Sequence, residues 1–183
     1  MILPREKDDI ALAVALVNTW DELEENPELL RSSDFLARLL AAFDLDLVPR
    51  DADLVAVRRV RDRLRRAFES ETEAEAVEAL NGLLRSSGAV PQLERAEGGW
   101  SFSYLPRRPS LPALLAGRTA VALLEVVREG GWDRFGRCAA SPCCCVYVDR
   151  SRNRTRRYCC DLCADRATQA AARRRRRERA ASR

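Results

Sequence analysis

The segments Cys138-Ala139-Ala140-Ser141-Pro142-Cys143-Cys144-Cys145 and Cys159-Cys160-Asp161-Leu162-Cys163 contain all seven cysteines of this 183-residue chain, which has no histidine. Two cysteine-rich knuckles separated by about 15 residues are typical of a zinc ion held by four thiolates. The absence of histidine excludes mixed Cys/His metal sites and catalytic Ser-His-Asp or Cys-His groups. The cysteines therefore predict one structural zinc ion per chain, bound by sulfur alone. Their spacing leaves open whether Cys159 or Cys160 pairs with Cys163.

The residues beside the cysteines predict the local structure of this zinc finger. A helix is expected to begin near Cys163, where free backbone amides and the helix dipole favour a thiolate. The apolar residues 145–148 are expected to form a strand. Four protein ligands leave no position for water on the metal, and the chain shows no nucleophile–base pair or glycine-rich phosphate loop. We therefore expect that this protein is not an enzyme, and we assign no catalytic residue. Removal of zinc is expected to unfold residues 134–179 and to leave the rest folded.

Positive charge is concentrated in the same part of the chain. Residues 134–183 contain 15 arginines and four acidic residues, a net charge of +11, whereas the rest contains 17 basic and 24 acidic residues, a net charge of −7. The formal net charge of +4 is the sum of these opposite values. Such asymmetry predicts an acidic folded domain joined to a basic module.

The basic module has two arginine-rich segments, the loop between the knuckles and the helix after the last cysteine. Arginine and polar donors bind phosphate oxygens, and arginine also binds guanine in the major groove. DNA is therefore the expected partner, while RNA, an acidic protein or a solvated tail without a partner are the alternatives. The candidate nucleic-acid-binding residues are Arg150, Arg152, Asn153, Arg154, Arg156, Arg157, Arg166, Arg173, Arg174, Arg175, Arg176 and Arg177.

Residues 1–131 predict a mainly helical domain with one small β-hairpin. Apolar residues recur at helical spacing in five segments, and the spacing changes to two on both sides of Gly98-Gly99. The predicted helices cover residues 9–23, 34–43, 51–68, 72–87 and 111–129, and the hairpin strands cover 92–95 and 100–104. The arginines on the outer face of the third helix are expected to be solvated. In residues 132–183 a tetra-cysteine zinc finger and a basic C-terminal helix are expected to follow.

A series of short motifs resembles a known family. The motifs are Leu16-Val17-Asn18-Thr19, Cys138-x4-Cys143, Val146-Tyr147-Val148-Asp149, Ser151-Arg152-Asn153, Arg156-Arg157-Tyr158-Cys159 and Cys163-Ala164-Asp165-Arg166. Residues 137–166 resemble the CGNR zinc finger, and residues 1–130 resemble the ABATE domain, a stress-induced transcription regulator domain that precedes it. In this chain Ala164 and Asp165 replace the Gly and Asn of the four-residue signature, and the last knuckle is one residue shorter than the commonest form.

The resemblance implies a ligand set and a function. The implied zinc ligands are Cys138, Cys143, Cys159 and Cys163, which leaves Cys144, Cys145 and Cys160 as additional thiols. The implied function is a DNA-binding transcription regulator whose helical domain senses an effector or forms a homodimer. The alternatives are a zinc-dependent module that binds protein or RNA, and a thiol redox switch formed by neighbouring cysteines. The sequence identifies neither an effector nor the oligomeric state.

The remaining composition bears on cellular location. No apolar run approaches the roughly 18–20 residues that span a bilayer. Residues 1–9 are too acidic and too interrupted for a signal peptide. We therefore expect a cytoplasmic protein without a membrane partner, associated with the nucleoid if it binds DNA, in which the cysteines stay reduced.

Overall fold

The computed structural model describes residues 8–96 and 98–181, so most of the N-terminal stretch that bears on a signal peptide lies outside the described residues. Its elements, in chain order, are α1 (Asp9–Val17), α2 (Ser33–Ala41), α3 (Asp51–Glu69), α4 (Glu73–Ser87), β1 (Ala89–Ala96), β2 (Gly99–Pro106), α5 (Leu111–Gly130), a 3₁₀ turn (Trp132–Arg134), β3 (Phe135–Arg137), β4 (Val146–Val148) and α6 (Asp161–Ala181). This order confirms the predicted class, mainly helical with a small hairpin and a four-cysteine cluster before a C-terminal helix.

Capping residues determine where α4 and α5 begin and where α4 ends. The Thr72 hydroxyl accepts the Glu75 N–H at 3.3 Å, and the Glu75 carboxylate accepts the Thr72 N–H, which closes a capping box at the start of α4. Gly88 ends that helix with φ of 66°, a left-handed conformation that glycine adopts without a steric cost. The Ser110 hydroxyl caps α5 in the same way as Thr72 caps α4. These local signals explain why α4 and α5 follow the prediction closely.

α1 is shorter than predicted, because it ends at Val17 instead of continuing to residue 23. The Asn18 side chain is buried and bonds to Val146, far away in the chain, while the Thr19 hydroxyl donates to the carbonyl of Leu16 at 2.7 Å. Both side chains thus compete with helix continuation.

The prediction of a solvated arginine face on α3 is wrong for its central residues. Arg61 is only 4% exposed, and its Nη1 lies 2.7 and 2.8 Å from the two carboxylate oxygens of Glu28. Arg65 donates to the carbonyl of Val17 at 2.9 Å. These guanidinium groups hold the end of α1 and the segment before α2 against α3, so part of this face is covered, whereas Arg59, Arg63 and Arg66 are exposed.

One hydrophobic core extends from the helical domain into the zinc finger. α1 is buried over 11–17 and packs against α3 and α5. Val146 and Val148 belong to the same core, and the Phe135 ring lies 5.0 Å from the Phe68 ring. β3 and β4 form an antiparallel hairpin with Phe135 opposite Val148, and the sequence had predicted only the second of these strands. The finger is therefore packed on the helical domain through its hairpin.

Within the described part of the chain, no helix is long and apolar enough to cross a membrane.

Candidate metal centre and nucleic-acid interface

The β3–β4 hairpin and the loop that leads to α6 bring the two cysteine knuckles together. The N–H of Cys138, just after β3, donates to the carbonyl of Cys145 at 2.9 Å and extends the hairpin ladder by one pair. The N–H of Ala139 donates to the carbonyl of Arg157 at 2.9 Å, which joins the first knuckle to the second. Backbone hydrogen bonds thus place cysteines from two distant segments side by side.

Four cysteine sulfurs form one compact cluster. The Sγ atoms of Cys138, Cys143, Cys159 and Cys163 all lie within 4.8 Å of one another. The Sγ of Cys159 is 3.8 Å from that of Cys143 and 3.6 Å from that of Cys163. Sulfur atoms around a tetrahedral zinc ion, with Zn–S bonds of about 2.3 Å, are about 3.8 Å apart. The cluster therefore fits one structural zinc ion, and the structure places Cys159, not Cys160, in it.

Polar groups surround the cluster and are directed at its sulfur atoms. The N–H of Cys159 donates to the Sγ of Cys138 at 3.5 Å. Arg166 Nη2 lies 3.1 Å from the Sγ of Cys163, which is 2% exposed in the first turn of α6. Such donors stabilise thiolates and orient them toward a metal ion.

Three of the four cluster thiols resist ionisation. Burial raises the pKa of Cys163 to about 12, and burial also raises the pKa of Cys143. Contact with the Cys145 thiol, together with burial, raises the pKa of Cys159. At Cys138 burial acts in the same direction, but hydrogen bonds from backbone N–H groups outweigh it and lower the pKa. A bound zinc ion supplies the positive charge that keeps all four sulfurs ionised.

The other three cysteines lie outside the cluster of four. The Cys144 thiol faces the carbonyl of Trp20 in the helical domain at 3.8 Å. The Cys160 Sγ lies 3.8 Å from the Sγ of Cys159. Cys145 contributes its carbonyl to the hairpin ladder. Cys144 therefore contacts the helical domain, while Cys145 and Cys160 are additional thiols that both contact Cys159.

The residues that connect the finger to the helical domain were not predicted from the sequence. The Asn18 amide donates to the carbonyl of Val146 at 3.0 Å and accepts the N–H of Val146 at 2.8 Å. Arg65, which binds the carbonyl of Val17, also has Nη1 3.4 Å from the carbonyl of Cys144. A polar Asn directly after the apolar run 10–17 was the available signal, but the partner of its side chain lies 128 residues away.

The basic loop between the knuckles is folded around the carboxylate of Asp149, which is 4% exposed. Its Oδ1 accepts the N–H of Ser151 and its Oδ2 accepts the N–H of Arg156, both at 2.8 Å. Burial alone would raise the pKa of Asp149, but the hydrogen bonds from Ser151 and Arg156 outweigh burial and hold the pKa below its usual value. The carboxylate thus fixes both ends of the loop.

Replacing Asp149 with asparagine is expected to lower the hydrogen-exchange protection of the Ser151 and Arg156 amides by about 10-fold to 100-fold, since a bond to a carboxylate contributes about 1.5–3 kcal/mol. Because the pKa is lowered, the carboxylate contributes fully above its usual value of about 3.9, and the contribution is lost only as pH falls through the lower folded value. Protection corrected for intrinsic exchange rates should therefore stay constant between pH 8 and pH 5. Asp165→Asn, an exposed change on α6, is the control. Equal effects of the two substitutions would contradict the anchoring role.

Two loop arginines form ion pairs with acidic residues of other segments. Arg150 Nη2 lies 2.7 Å from each carboxylate oxygen of Asp8, and Arg154 Nη1 lies 2.6 Å from Asp133 Oδ2. All four side chains are at least one-third exposed. Such exposed pairs contribute about 0–1 kcal/mol, so a phosphate group can compete for either arginine.

Arg156 is exposed, but its guanidinium also supports the second knuckle. Its guanidinium lies 4.9 Å from the centre of the Tyr147 ring, and its Nε donates to the carbonyl of Tyr158 at 3.0 Å. The Tyr147 hydroxyl donates to the carbonyl of Arg156 at 2.6 Å. Two of the predicted phosphate-binding residues thus contact the metal site: Arg156 donates to the backbone of the second knuckle, and Arg166 donates to the sulfur of Cys163.

The other predicted nucleic-acid-binding residues are on the surface. Arg152, Asn153 and Arg157 are exposed on the loop. Residues 173–180 of α6, which include the five arginines 173–177, are all exposed, so this part of the helix projects from the body of the protein. Among these five arginines, the ion pair found within the described residues is Arg174 with Glu178, at 3.5 Å.

The fold and the site define a helical domain joined to a zinc finger with four thiolate ligands. The family model ABATE, described as "Putative stress-induced transcription regulator", matches residues 11–130, and the model of the CGNR zinc finger matches residues 134–176. The chain therefore belongs to the ABATE family and carries a CGNR zinc finger, which confirms the resemblance of its motifs. No curated protein matches the sequence.

Proposed function

We propose that this protein is a transcription regulator that binds DNA through its zinc finger, and that it acts as a binding protein without catalytic activity. The observation that carries the proposal is the run of five exposed arginines on α6, the helix whose first turn supplies a cysteine to the metal cluster. The family description supports regulation of transcription, and DNA binding is our extension of it.

The arginines of α6 suit a helix placed in a groove between phosphates. Five consecutive residues cover more than one turn of 3.6 residues, so their guanidinium groups point to all sides of the helix. A helix lying on a flat acidic surface needs arginines on one side only. A helix in the major groove has a phosphate backbone on each side and base edges in front, which matches this arrangement.

The loop between the knuckles supports the same placement. Arg157 and Thr155 of the loop, together with Asp161 and Ala164 of α6, line an open groove of about 640 Å³. The zinc cluster fixes this geometry, because Cys159 and Cys163 bind the end of the loop and the start of the helix to one metal ion. The loop can therefore contact the phosphate backbone of the DNA while α6 enters the major groove of the DNA.

The test is the salt dependence of binding to a fluorescent DNA duplex, measured by anisotropy. If about six phosphates are contacted, log K should fall with log salt with a slope near −5. Replacing all five arginines 173–177 with glutamine should reduce the slope to about −1 and weaken binding at low salt by at least about 100-fold.

A matched control removes the same charge from the helical domain. Arg38, Arg59, Arg66, Arg107 and Arg108 are exposed, and their replacement with glutamine should leave the slope unchanged. A flat salt response of the intact protein, or equal losses in both variants, would contradict DNA binding by α6. Selection from genomic fragments should enrich particular sequences, and enrichment of none would favour a zinc-dependent interaction module over a regulator.

A further inference from the structure

The outer half of the β1–β2 hairpin is an exposed arm with an apolar face. Residues 91–95 and 100–102 are all exposed. Trp100 and Phe102 are each 66% exposed and Leu93 is 59% exposed. Leu93 stands directly opposite Phe102, and Arg95 stands opposite Trp100 with its guanidinium 5.6 Å from the ring centre, so these four side chains share one face. Neighbouring exposed rings of this kind mark an interaction surface.

The hydrogen-bond pattern shows which backbone groups of β2 are unpaired with β1. The N–H of Arg107 donates to the carbonyl of Gly88, so these residues form a hydrogen-bonded pair that continues the hairpin register. Hydrogen-bonded pairs alternate along an antiparallel ladder. The N–H and C=O groups of Trp100, Phe102 and Tyr104 therefore point away from β1. A side-chain carbon added to Gly117 of α5 would lie 3.5 Å from the Tyr104 carbonyl oxygen, so α5 approaches that end, and the open edge lies at Trp100 and Phe102.

The two edges of the hairpin differ in how they resist pairing with another strand. β1 contains Pro91, Glu94 and Arg95, and prolines and charges are the residues that protect exposed edges. β2 has no charged residue between 99 and 106, and its one proline, Pro106, is at the end away from the arm. The β2 edge thus lacks the protection that β1 has.

We propose that β2 pairs antiparallel with β2 of a second copy of this chain, with the two-fold axis at Ser101. In this register Trp100 stands opposite Phe102 of the second copy, and Phe102 opposite Trp100 of the second copy. The outward backbone groups of both residues then form two hydrogen-bonded pairs. The alternating order Trp100-Ser101-Phe102 is self-complementary, because antiparallel pairing places aromatic residues on one face and serines on the other.

The charge of the arm argues against nucleic acid as its partner, and its area predicts how strongly two copies associate. Residues 89–106 carry Glu94, Arg95 and Glu97, a net charge of −1, which gives no attraction to nucleic acid. Trp100 and Phe102 are each about two-thirds exposed, so together they can bury about 250 Å² per copy, or about 500 Å² in the dimer. Leu93 and the paired backbone add to this area, but the total stays below the roughly 1,200 Å² of stable interfaces. We therefore expect a dimer that dissociates at micromolar concentrations.

Sedimentation equilibrium of the full chain without DNA tests the proposal. Between about 1 and 100 μM the mass should rise from monomer toward dimer, and Phe102→Glu should remain monomeric throughout. Val48→Glu, a change at a residue 90% exposed outside the arm, should behave as the unchanged protein. A monomer at all concentrations, or a Phe102→Glu variant that still dimerises, would overturn the proposal. If Phe102→Glu weakens DNA binding without a change in mass, the arm contacts nucleic acid instead.

A second measurement tests the strand register. Ser101 lies on the proposed axis in a pair without hydrogen bonds, where Cα atoms are about 4.5 Å apart, a distance that allows a disulfide. Ser101→Cys should therefore give a peptide linked through residue 101 of both copies after mild oxidation, detected by mass spectrometry. Ser70→Cys, outside the arm, is the control. Absence of the linked peptide in a protein that dimerises would overturn the β2 pairing.

Discussion

Removal of zinc is expected to unfold the knuckles and α6 and to leave β3 and β4 folded on the helical domain. Zinc binding to such sites contributes about 10–16 kcal/mol. Between residues 150 and 180, Cys163 is the only buried residue, so little besides the metal holds this segment in place. In contrast, Val146 and Val148 lie in the shared core. The unfolded region should therefore be smaller than the residues 134–179 expected from the sequence.

Hydrogen exchange with and without a chelator measures this result. Protection should fall in residues 138–145 and 158–170 and remain in residues 135–137 and 146–148. Simultaneous loss of protection in β4 would contradict the expectation, because it would show that zinc, not the core, holds the hairpin.

Single substitutions separate the ligands from their neighbours. Cys143→Ser should lose the metal, whereas Cys144→Ser, one residue further, should keep one zinc ion per chain. Cys159→Ser and Cys160→Ser should differ in the same way, because only Cys159 lies in the cluster. Metal analysis of the four purified variants checks both pairs, and retention of zinc by Cys159→Ser would contradict its role as a ligand.

The parts of the fold that sequence predicts are those determined by local signals. The Thr72 capping box and Gly88 define α4 from within its own residues. The choice of residue types at the cluster is local as well, since closely spaced cysteines in a chain without histidine indicate a structural zinc site with thiolate ligands. Selection of Cys159 over Cys160 required either the family resemblance or the folded structure, because both cysteines have plausible spacing to Cys163.

The features that sequence did not predict depend on partners far away in the chain. Arg61 is buried because Glu28 binds it from 33 residues earlier. β3 has three residues, too few for a periodic pattern, and forms only because β4 pairs with it. The loop arginines look equivalent in sequence and Arg152 and Arg156 are both exposed, yet Arg156 donates to the carbonyl of Tyr158 in the second knuckle. An arginine-rich stretch therefore predicts a basic surface, but not which arginines are free.

Replacement of Asn18 by alanine is expected to lower the free energy of unfolding by about 2–5 kcal/mol. The substitution leaves the buried N–H and C=O of Val146 without partners, and each unsatisfied group costs about 1–3 kcal/mol. Urea unfolding followed by circular dichroism measures the change, and hydrogen exchange should show the largest loss of protection in residues 146–148. Asn26→Ala removes the same atoms from an exposed position and should change stability by less than about 0.5 kcal/mol.

The same substitution tests whether the finger moves with the helical domain. Asn18 joins the end of α1 to β4, so the hydrogen-bonded contact and the shared core fix the orientation of the finger. Asn18→Asp keeps an acceptor for the Val146 N–H but loses the donor to its carbonyl, and adds a buried charge, so it should destabilise at least as much as alanine. Zinc content should stay at one ion per chain in both variants, because no ligand changes. If Asn18→Ala and Asn26→Ala were equally stable, the hydrogen bonds of Asn18 would not hold the finger on the helical domain; the expected difference means that a change at the end of α1 is transmitted to β4.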